Sequence, residues 1–363
     1  MIFKDVIIIG GGPAGLCAAQ MFLNTSLSVL IVDRDQQLGG QLVKQTHKFF
    51  GSKEQYAKQR GFVIAQTLID KIKDQPNIEI LTGTTVTGLY RDQVVTTISE
   101  GKYQRFSAKA IVIATGASEK SLAFENNDLP GIYGAGAIQT LMNVYGIMPA
   151  QEVVMIGSGN IGLIVSYQLI QAGVKIKALI EAQSTIGGYK VHASKLKRLG
   201  VPFLMQKTIS RAIGKDHLEA VEIVGLDEHF QVIPNSEEII KTDALCIAVG
   251  LSPLTQLLGM LDVEMKYIKE LGGLVPKLND DHQTSIPFMF ACGDASGIEE
   301  ASSAMMEGHL TGLGVLKYLG HKDLKHEEKV LFYHEQLNRL RDSAYGDKTK
   351  QGLDKLKGGP YVN

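Results

Sequence analysis

The chain carries two glycine-rich signatures of one kind, at nearly the same internal spacing. The first leaves the apolar run at residues 6–9 and reads Gly10-Gly11-Gly12-Pro13-Ala14-Gly15; Asp33 follows a second apolar run, and then Gly39-Gly40. The second leaves residues 153–156 and reads Gly157-Ser158-Gly159-Asn160-Ile161-Gly162; Glu181 follows, and then Gly187-Gly188. Further on, Ala114-Thr115-Gly116 has its counterpart in Ala248-Val249-Gly250. Each residue type has a physical task in holding a dinucleotide. Gly10 and Gly157 turn the chain sharply out of a strand, and Gly12 and Gly159 let the backbone approach a pyrophosphate. Gly15 and Gly162 let the next helix pack closely. The N-terminus of that helix presents free N–H groups and the positive end of its dipole to the phosphates. An acid about 20 residues beyond the glycines can accept hydrogen bonds from a ribose diol. Two such sites in one chain imply one cofactor that stays and one that visits, hence electron transfer between carriers.

These signatures require strand–turn–helix units to position them. Apolar runs of four to five residues read as parallel strands buried on both faces. The expected layout has strands at residues 4–9 and 28–33 flanking a helix at 13–24. A polar, basic stretch at 41–60 leads to a helix ending near Lys73, and short strands fill 77–115, with a meander around Gly101. A turn at residues 128–131 leads to the second unit, and residues 272–294 return to the first, followed by a helix at 299–319. The predicted fold is α/β, with two Rossmann-like domains, one inserted into the other, and a helical tail. The boundaries are 1–130 with 251–320, 131–250, and 321–363. The tail is dense in charge, and residues 327–341 read as a helix. Its Val330, Leu331, Tyr333, His334, Leu337 and Leu340 fall on one face. It cannot build a core of its own. It docks on this chain, docks on a partner or frays; docking is expected, an arm toward a partner suits it, and residues after Gly320 are expected to be dispensable for holding a cofactor.

Composition narrows the classes. At 363 residues with a net charge of −1, the chain suits two globular domains and has no strong field for nucleic acid or a membrane surface. No run is long and apolar enough to span a bilayer, and no export signal is read. Cys17, Cys246 and Cys292 form no C-x-x-C pair. They read as buried thiols rather than a redox dithiol, a zinc site or an iron–sulfur site, in keeping with a reducing cytoplasm.

With Gly39-Gly40-Gln41-Leu42 and Phe290-Ala291-Cys292-Gly293-Asp294 added to these motifs, residues 1–320 resemble the two-dinucleotide-domain flavoproteins. These form the thioredoxin reductase-like branch of the pyridine nucleotide–disulfide oxidoreductases. The missing C-x-x-C departs from thioredoxin reductases and argues against dithiol exchange. Residues 39–50, 129–139, Tyr145-Gly146-Ile147-Met148-Pro149 and Glu307-Gly308-His309 resemble the flavin/NAD subunits of heteromeric sarcosine oxidase, opine oxidase, and hydroxyproline and proline dehydrogenases. Related glycerol-phosphate enzymes belong to the same group.

The resemblance implies FAD in the first domain and NAD(P) in the second. FAD would meet Gly10, Gly12, Pro13, Ala14, Gly15, Asp33, Arg34, Gly40 and Val86, with Ala114, Thr115, Gly116 and Gly293. Asp294 would take the ribityl or phosphate-proximal hydroxyls, against the simpler reading of a helix N-cap. Gln41, Thr46 and His47 would lie near the isoalloxazine edge, against the reading of a solvated loop. Glu300 and Ala301 open a helix whose backbone N–H groups can stabilise charge on the reduced ring. The second nucleotide would meet Gly157, Gly159, Asn160, Ile161, Gly162, Glu181 and Gly250. With a carboxylate at Glu181 and no arginine after it, NAD(H) is expected over NADP(H); Lys190 is the nearest base. No side chain is assigned as nucleophile or general base, and no metal site is expected.

Partners implied are an iron–sulfur or ferredoxin-like protein and a second flavoprotein subunit, within an oligomer. Two other readings stand beside that of a dehydrogenase component. One is a stand-alone NAD(P)H reductase of ferredoxin or another soluble acceptor. The other is a protein that binds an adenine nucleotide for structure alone, as a structural subunit.

Overall fold

The computed structural model describes residues 1–342 and 346–358. The chain divides into two compact units, one of residues 1–118 and 252–363, the other of residues 119–251. The first division falls ahead of the expected residue 130. Leu122, Phe124 and Leu129 pack into an apolar cluster with Val154, Ile180 and Leu245, so this stretch joins the second unit.

The first unit is built on one sheet. Strands Ile78–Leu81, Val29–Val32, Ile2–Ile9 and Lys102–Ile113 run parallel in that spatial order. The far half of Lys102–Ile113 also pairs in parallel with Met289–Ala291. Its near half leaves that sheet pattern and pairs antiparallel with Val94–Ser99, which continues to Thr85–Leu89. The opening strand shows why its apolar run is unbroken. Val6 and Ile8 belong to one core cluster, Ile7 and Ile9 to another, so both faces are covered. The helices Pro13–Gln20, Gly61–Asp70 and Ala301–Tyr318 lie over the first of these clusters. The first helix ends at Gln20, earlier than expected, because Met21 to Thr25 close in turns and Asn24 takes a left-handed conformation.

The second unit repeats the plan. Strands Phe203–Met205, Lys175–Glu181, Glu152–Ile156, Ala244–Ile247 and Ile132–Gly134 form a parallel sheet. Val153 and Met155 face one cluster, Val154 and Ile156 the other. A small antiparallel sheet of Lys207–Ile213, Ala220–Gly225 and Glu238–Lys241 completes it.

The tail belongs to the first unit. Helix His326–Arg341 packs on Ala301–Tyr318 through Val330, Tyr333, Leu337 and Leu340. Leu331, expected on that face, points to solvent at 66% exposure. A second tail helix, Asp347–Lys357, was not foreseen. It seats Leu353 and Leu356 on Ile268, Leu271 and Val275. All three cysteines are buried, and burial pushes the Cys17 thiol up to about 12. Among the described residues no helix is long and apolar enough to cross a membrane.

Candidate functional site

Each unit presents one cradle, at the end of Ile2–Ile9 in the first and of Glu152–Ile156 in the second. In the first unit Gly10 has φ +107°, and a Cβ there would lie 2.2 Å from the Ala114 carbonyl oxygen. The chain leaving Lys102–Ile113 therefore presses directly on this turn. A Cβ on Gly15 would lie 1.9 Å from the Gly10 oxygen, which is how closely the helix approaches the strand. Gly12 differs: its Cβ would meet nothing nearer than the Gly40 Cα at 3.9 Å. Gly116 also faces open space. Pro13 opens the helix and no side chain caps it, so the N–H groups of Ala14 and Gly15 have no intrahelical acceptor. The geometry fits an anionic group held by backbone.

Asp33 is buried at the strand end. Its Oδ2 accepts from Gly11 N–H at 2.6 Å and its Oδ1 from Asp35 N–H at 2.9 Å. Burial pushes this carboxyl above its ordinary value, against the pull of the two backbone donors. The acid therefore holds the glycine turn as well as offering oxygens beyond it.

The second cradle repeats the same turn and helix approach. Gly157 has φ +100° and its Cβ would sit 2.3 Å from the Ala248 oxygen; that of Gly162 would sit 2.1 Å from the Gly157 oxygen. Nothing lies within 4 Å of a Cβ on Gly159. Glu181 Oε2 accepts from Ser158 N–H at 2.8 Å and Ser158 Oγ–H at 2.6 Å, and Oε1 accepts from Gln183 N–H at 2.9 Å. Gly188 N–H donates to the Ser158 oxygen at 2.8 Å, as Gly39 N–H does to the Gly11 oxygen at 2.8 Å. The Asn160 side chain accepts from Tyr189 N–H at 2.8 Å, fastening the same loop. Ile161 is partly exposed in the first helical turn. Gly250 has φ +119°. Lys190 opens helix Lys190–Arg198. Ser158 was not singled out from sequence, although its place between the first two glycines marks it.

Asp294 separates the two cradles in kind. Strand Met289–Ala291 delivers it into a single turn, Gly293–Ala295, while the N-cap of the following helix is Glu300. Asp294 is therefore not the cap of that helix. It accepts one long bond, from Glu299 N–H at 3.3 Å, and burial pushes its carboxyl up to about 7. Gly293 brings the turn against the first cradle, since a Cβ there would lie 2.8 Å from the Ala14 Cβ. Glu300 is exposed and Ala301 starts the helix. Thr115 Oγ donates to the Leu254 oxygen at 2.7 Å.

The remaining expected residues lie in other surroundings. Gln41 is exposed at the start of the short helix Gly40–Lys44. The Thr46 carbonyl accepts from the Arg60 guanidinium, and His47 stacks on Phe49 with ring centroids 5.6 Å apart. Val86 packs against the core cluster of Ile7 and Ile9. Arg34 is exposed beside Asp35, at 3.9 Å.

Sequence reasoning missed the group behind Asp294. Arg341, from the tail, donates from Nε to both oxygens of Glu299 at 3.1 and 3.2 Å, and from Nη2 to Glu307 Oε1 at 2.6 Å. Glu307 Oε2 accepts from Gly293 N–H at 2.9 Å and Ser296 Oγ–H at 3.2 Å. Burial pushes both glutamates above their ordinary values, and Arg341 opposes it. Glu307 opens the motif Glu307-Gly308-His309, yet nothing in the sequence joins it to a residue of the tail.

The chain belongs to the pyridine nucleotide-disulphide oxidoreductase family, which matches residues 4–308. The family binds FAD and carries NAD(P)-binding domains, and the chain is a member of this oxidoreductase family. It is similar to an opine oxidase subunit of Agrobacterium tumefaciens (strain Ach5), at 26% identity over 333 residues, 86% of this chain and 65% of that protein. The alpha subunit of sarcosine oxidase from Rhizobium meliloti (strain 1021) is 26% identical over 267 residues, 70% of this chain and 25% of that protein. Among solved structures, L-proline dehydrogenase from P. horikoshii shares the fold. Its TM-score is 0.70 at 24% identity, over 93% of this chain and 59% of that one. The chain thus spans under two thirds of the length of each. Both relatives are subunits of larger enzymes, so the chain is related to components of multi-subunit oxidases.

Proposed function

We propose that this family member is the electron-transfer subunit of a multi-subunit amine or imino-acid dehydrogenase, or one of glycerol-phosphate type, working between NAD(H) and a partner redox subunit. The observation that supports it is the duplication of one cradle. Each has a glycine facing open space, Gly12 or Gly159, above a helix N-terminus with an acid on its turn. The first unit takes FAD, because it adds a half-buried acid, Asp294, on a turn packed against its cradle. FAD supplies the two-electron chemistry that the protein's own side chains lack.

The chain's residues position and tune. Backbone N–H groups of Ala14 and Gly15 face the pyrophosphate, with Gly10, Gly12, Pro13 and Gly40 shaping its bed. Asp33 offers its remaining lone pairs to the adenosine ribose. Ala114, Thr115 and Gly116 border the cradle, and Gly293 carries Asp294 to the ribityl chain. The N–H groups at Glu300 and Ala301 set a helix dipole toward the flavin ring. Arg34, Gln41, Thr46, His47 and Val86, which lie in other surroundings, are assigned to the same cofactor on the family resemblance alone. In the second unit Gly157, Gly159, Asn160, Ile161, Gly162 and Gly250 shape the bed. Glu181 takes a free 2′-hydroxyl and repels a 2′-phosphate, giving NADH preference. The oxidised substrate binds on the partner, a second flavoprotein subunit. An iron–sulfur or ferredoxin-like protein is a further electron partner.

The test is direct. The purified chain should hold one FAD, and NADH should bleach it at least about 10-fold faster than NADPH, since a carboxylate facing a phosphate costs of order 1.4 kcal/mol or more. Glu181→Arg should narrow that ratio. A chain that binds no flavin, equal rates with both nucleotides, or bleaching by sarcosine or proline without a partner would each overturn the reading.

A further inference from the structure

Among the described residues, the side chain of Arg341 joins the tail to the first unit's site. Arg341 is the last residue of helix His326–Arg341, and its side chain is only 15% exposed. It spans two carboxylates, Glu299 and Glu307, each 9% exposed. Those two carboxylates hold opposite ends of one segment. Glu307 accepts from Gly293 N–H and Ser296 Oγ–H, so it fixes the turn that carries Asp294. Glu299 stands just before the helix that starts at Ala301, and its own N–H donates to Asp294. A single guanidinium thus clamps both the turn and the helix start. Its planar fork can reach two acids at once, which a lysine ammonium does less well. Two acids, Glu299 and Glu307, share this cation, and Asp294 lies beside them on the segment they hold.

The helix bearing Arg341 is fixed in its own right. Tyr333 stacks on His309 at 4.3 Å between centroids, Gln55 Nε2 donates to Gln336 Oε1 at 3.1 Å, and Leu337 is buried. The guanidinium is therefore delivered by a packed helix.

We propose that Arg341 is a positioning residue for the flavin: it sets the 293–301 segment, through Glu307 and Glu299, in the geometry that receives FAD. The tail is thereby part of the cofactor site. This rests on the reading that the first unit binds FAD.

The experiment uses the full chain as wild type, Arg341→Met, Arg341→Lys and the double variant Arg341→Met/Glu299→Gln. Cofactor-free protein is titrated with FAD, and the midpoint potential of the bound flavin is measured. Arg341→Met should raise the Kd for FAD at least about 10-fold. It should also weaken the hold on reduced relative to oxidised flavin by about 10-fold, about 30 mV downward for a two-electron couple. Arg341→Lys, keeping charge without the fork, should fall between. The double variant removes one acid with the cation, so its potential should return toward wild type while its Kd stays high. A residue of purely structural role would move the melting temperature and leave the potential alone. Arg341→Met that folds and matches wild type in Kd and potential overturns the proposal. If Arg341→Met does not fold, Arg341→Lys decides, and a wild-type Kd and potential there overturn it. A wild type that binds no FAD removes the flavin reading itself, and this proposal with it.

Discussion

Gly159→Ala separates an open cradle from a packed turn. Gly159 has φ −65° and ψ 172°, a conformation any residue adopts, and nothing lies within 4 Å of an added Cβ. Replacing glycine at such a site restricts the unfolded chain, a gain of about 0.4–1 kcal/mol. Gly159 is also the N-cap of Asn160–Gln171, where alanine is poorer than glycine by about 0.5–1 kcal/mol. The two effects offset, so cofactor-free stability should change by less than about 0.5 kcal/mol in chemical denaturation. The methyl group would project into the space assigned to the pyrophosphate. NADH affinity should fall by about 10-fold or more, a cost of about 1.4 kcal/mol. Gly157→Ala is the contrast. Its φ is +100° and its Cβ would lie 2.3 Å from the Ala248 oxygen. The left-handed backbone costs roughly 1–2 kcal/mol, and relieving the clash adds more, so stability should drop by about 3 kcal/mol or more. Calorimetric titration with NADH and urea denaturation of both variants decide the matter. Unchanged NADH affinity in Gly159→Ala refutes the assignment of the cradle; a stability loss above about 1 kcal/mol refutes the claim that the space is open.

Deleting the chain after Gly320 should destabilise the first unit by about 3 kcal/mol or more, because Glu299 and Glu307 lose the cation that pairs them while buried. Lys329→Ala, at an exposed ion pair with Asp323, should cost under about 0.5 kcal/mol; equal denaturation midpoints for the truncated and full chains would sink the argument. Asp294 makes the cofactor-free protein less stable as pH rises. The folded state holds its proton up to about pH 7, whereas the unfolded chain releases it near pH 4, so folding is opposed across that window. Relative to Asp294→Asn, wild type should lose roughly 2–4 kcal/mol between about pH 4.5 and about pH 7.5, and a flat difference would contradict the burial argument. Buried His309 and His282 act in the opposite sense below their ordinary pKa, so the comparison must be against that variant.

Both cradles were legible because each rests on a short local pattern. The apolar run, the glycine spacing and the acid at the next strand end each answer to one steric or electrostatic demand. The structure meets those demands with Ala114 over Gly10 and Ala248 over Gly157. The two strand faces of residues 6–9 were equally plain from the unbroken apolar run. What escaped depends on residues far apart in the chain. Arg341 lies 34 residues beyond Glu307, and no periodicity joins them. The contact face of the tail, Val330, Tyr333, Leu337 and Leu340, was legible from its helical spacing, but the surface it covers and the guanidinium it delivers were not. Helix Asp347–Lys357 has Leu353 and Leu356 as its apolar anchors, too few to stand out among lysines. Residues 119–130 were assigned to the first domain from the turn at 128–131, yet Phe124 and Leu129 supply apolar surface to the second unit.

The twin cradles differ in one respect that bears on which nucleotide stays. An ionised carboxylate offers about four acceptor sites. Asp33 commits two of them, to Gly11 N–H and Asp35 N–H. Glu181 commits three, because Ser158 stands where the first copy has Gly11 and adds a hydroxyl donor. Asp33 thus keeps about two sites for a ribose diol, and Glu181 about one. Each additional bond to a charged acceptor contributes on the order of 1.5–3 kcal/mol. A nucleotide in the first cradle is therefore gripped harder at its ribose than one in the second. Asp294 adds a further acid to the first cradle. The proposed resident cofactor in the first unit and exchanging one in the second accord with this count of lone pairs, with the glycine-to-serine difference between Gly11 and Ser158 as its origin.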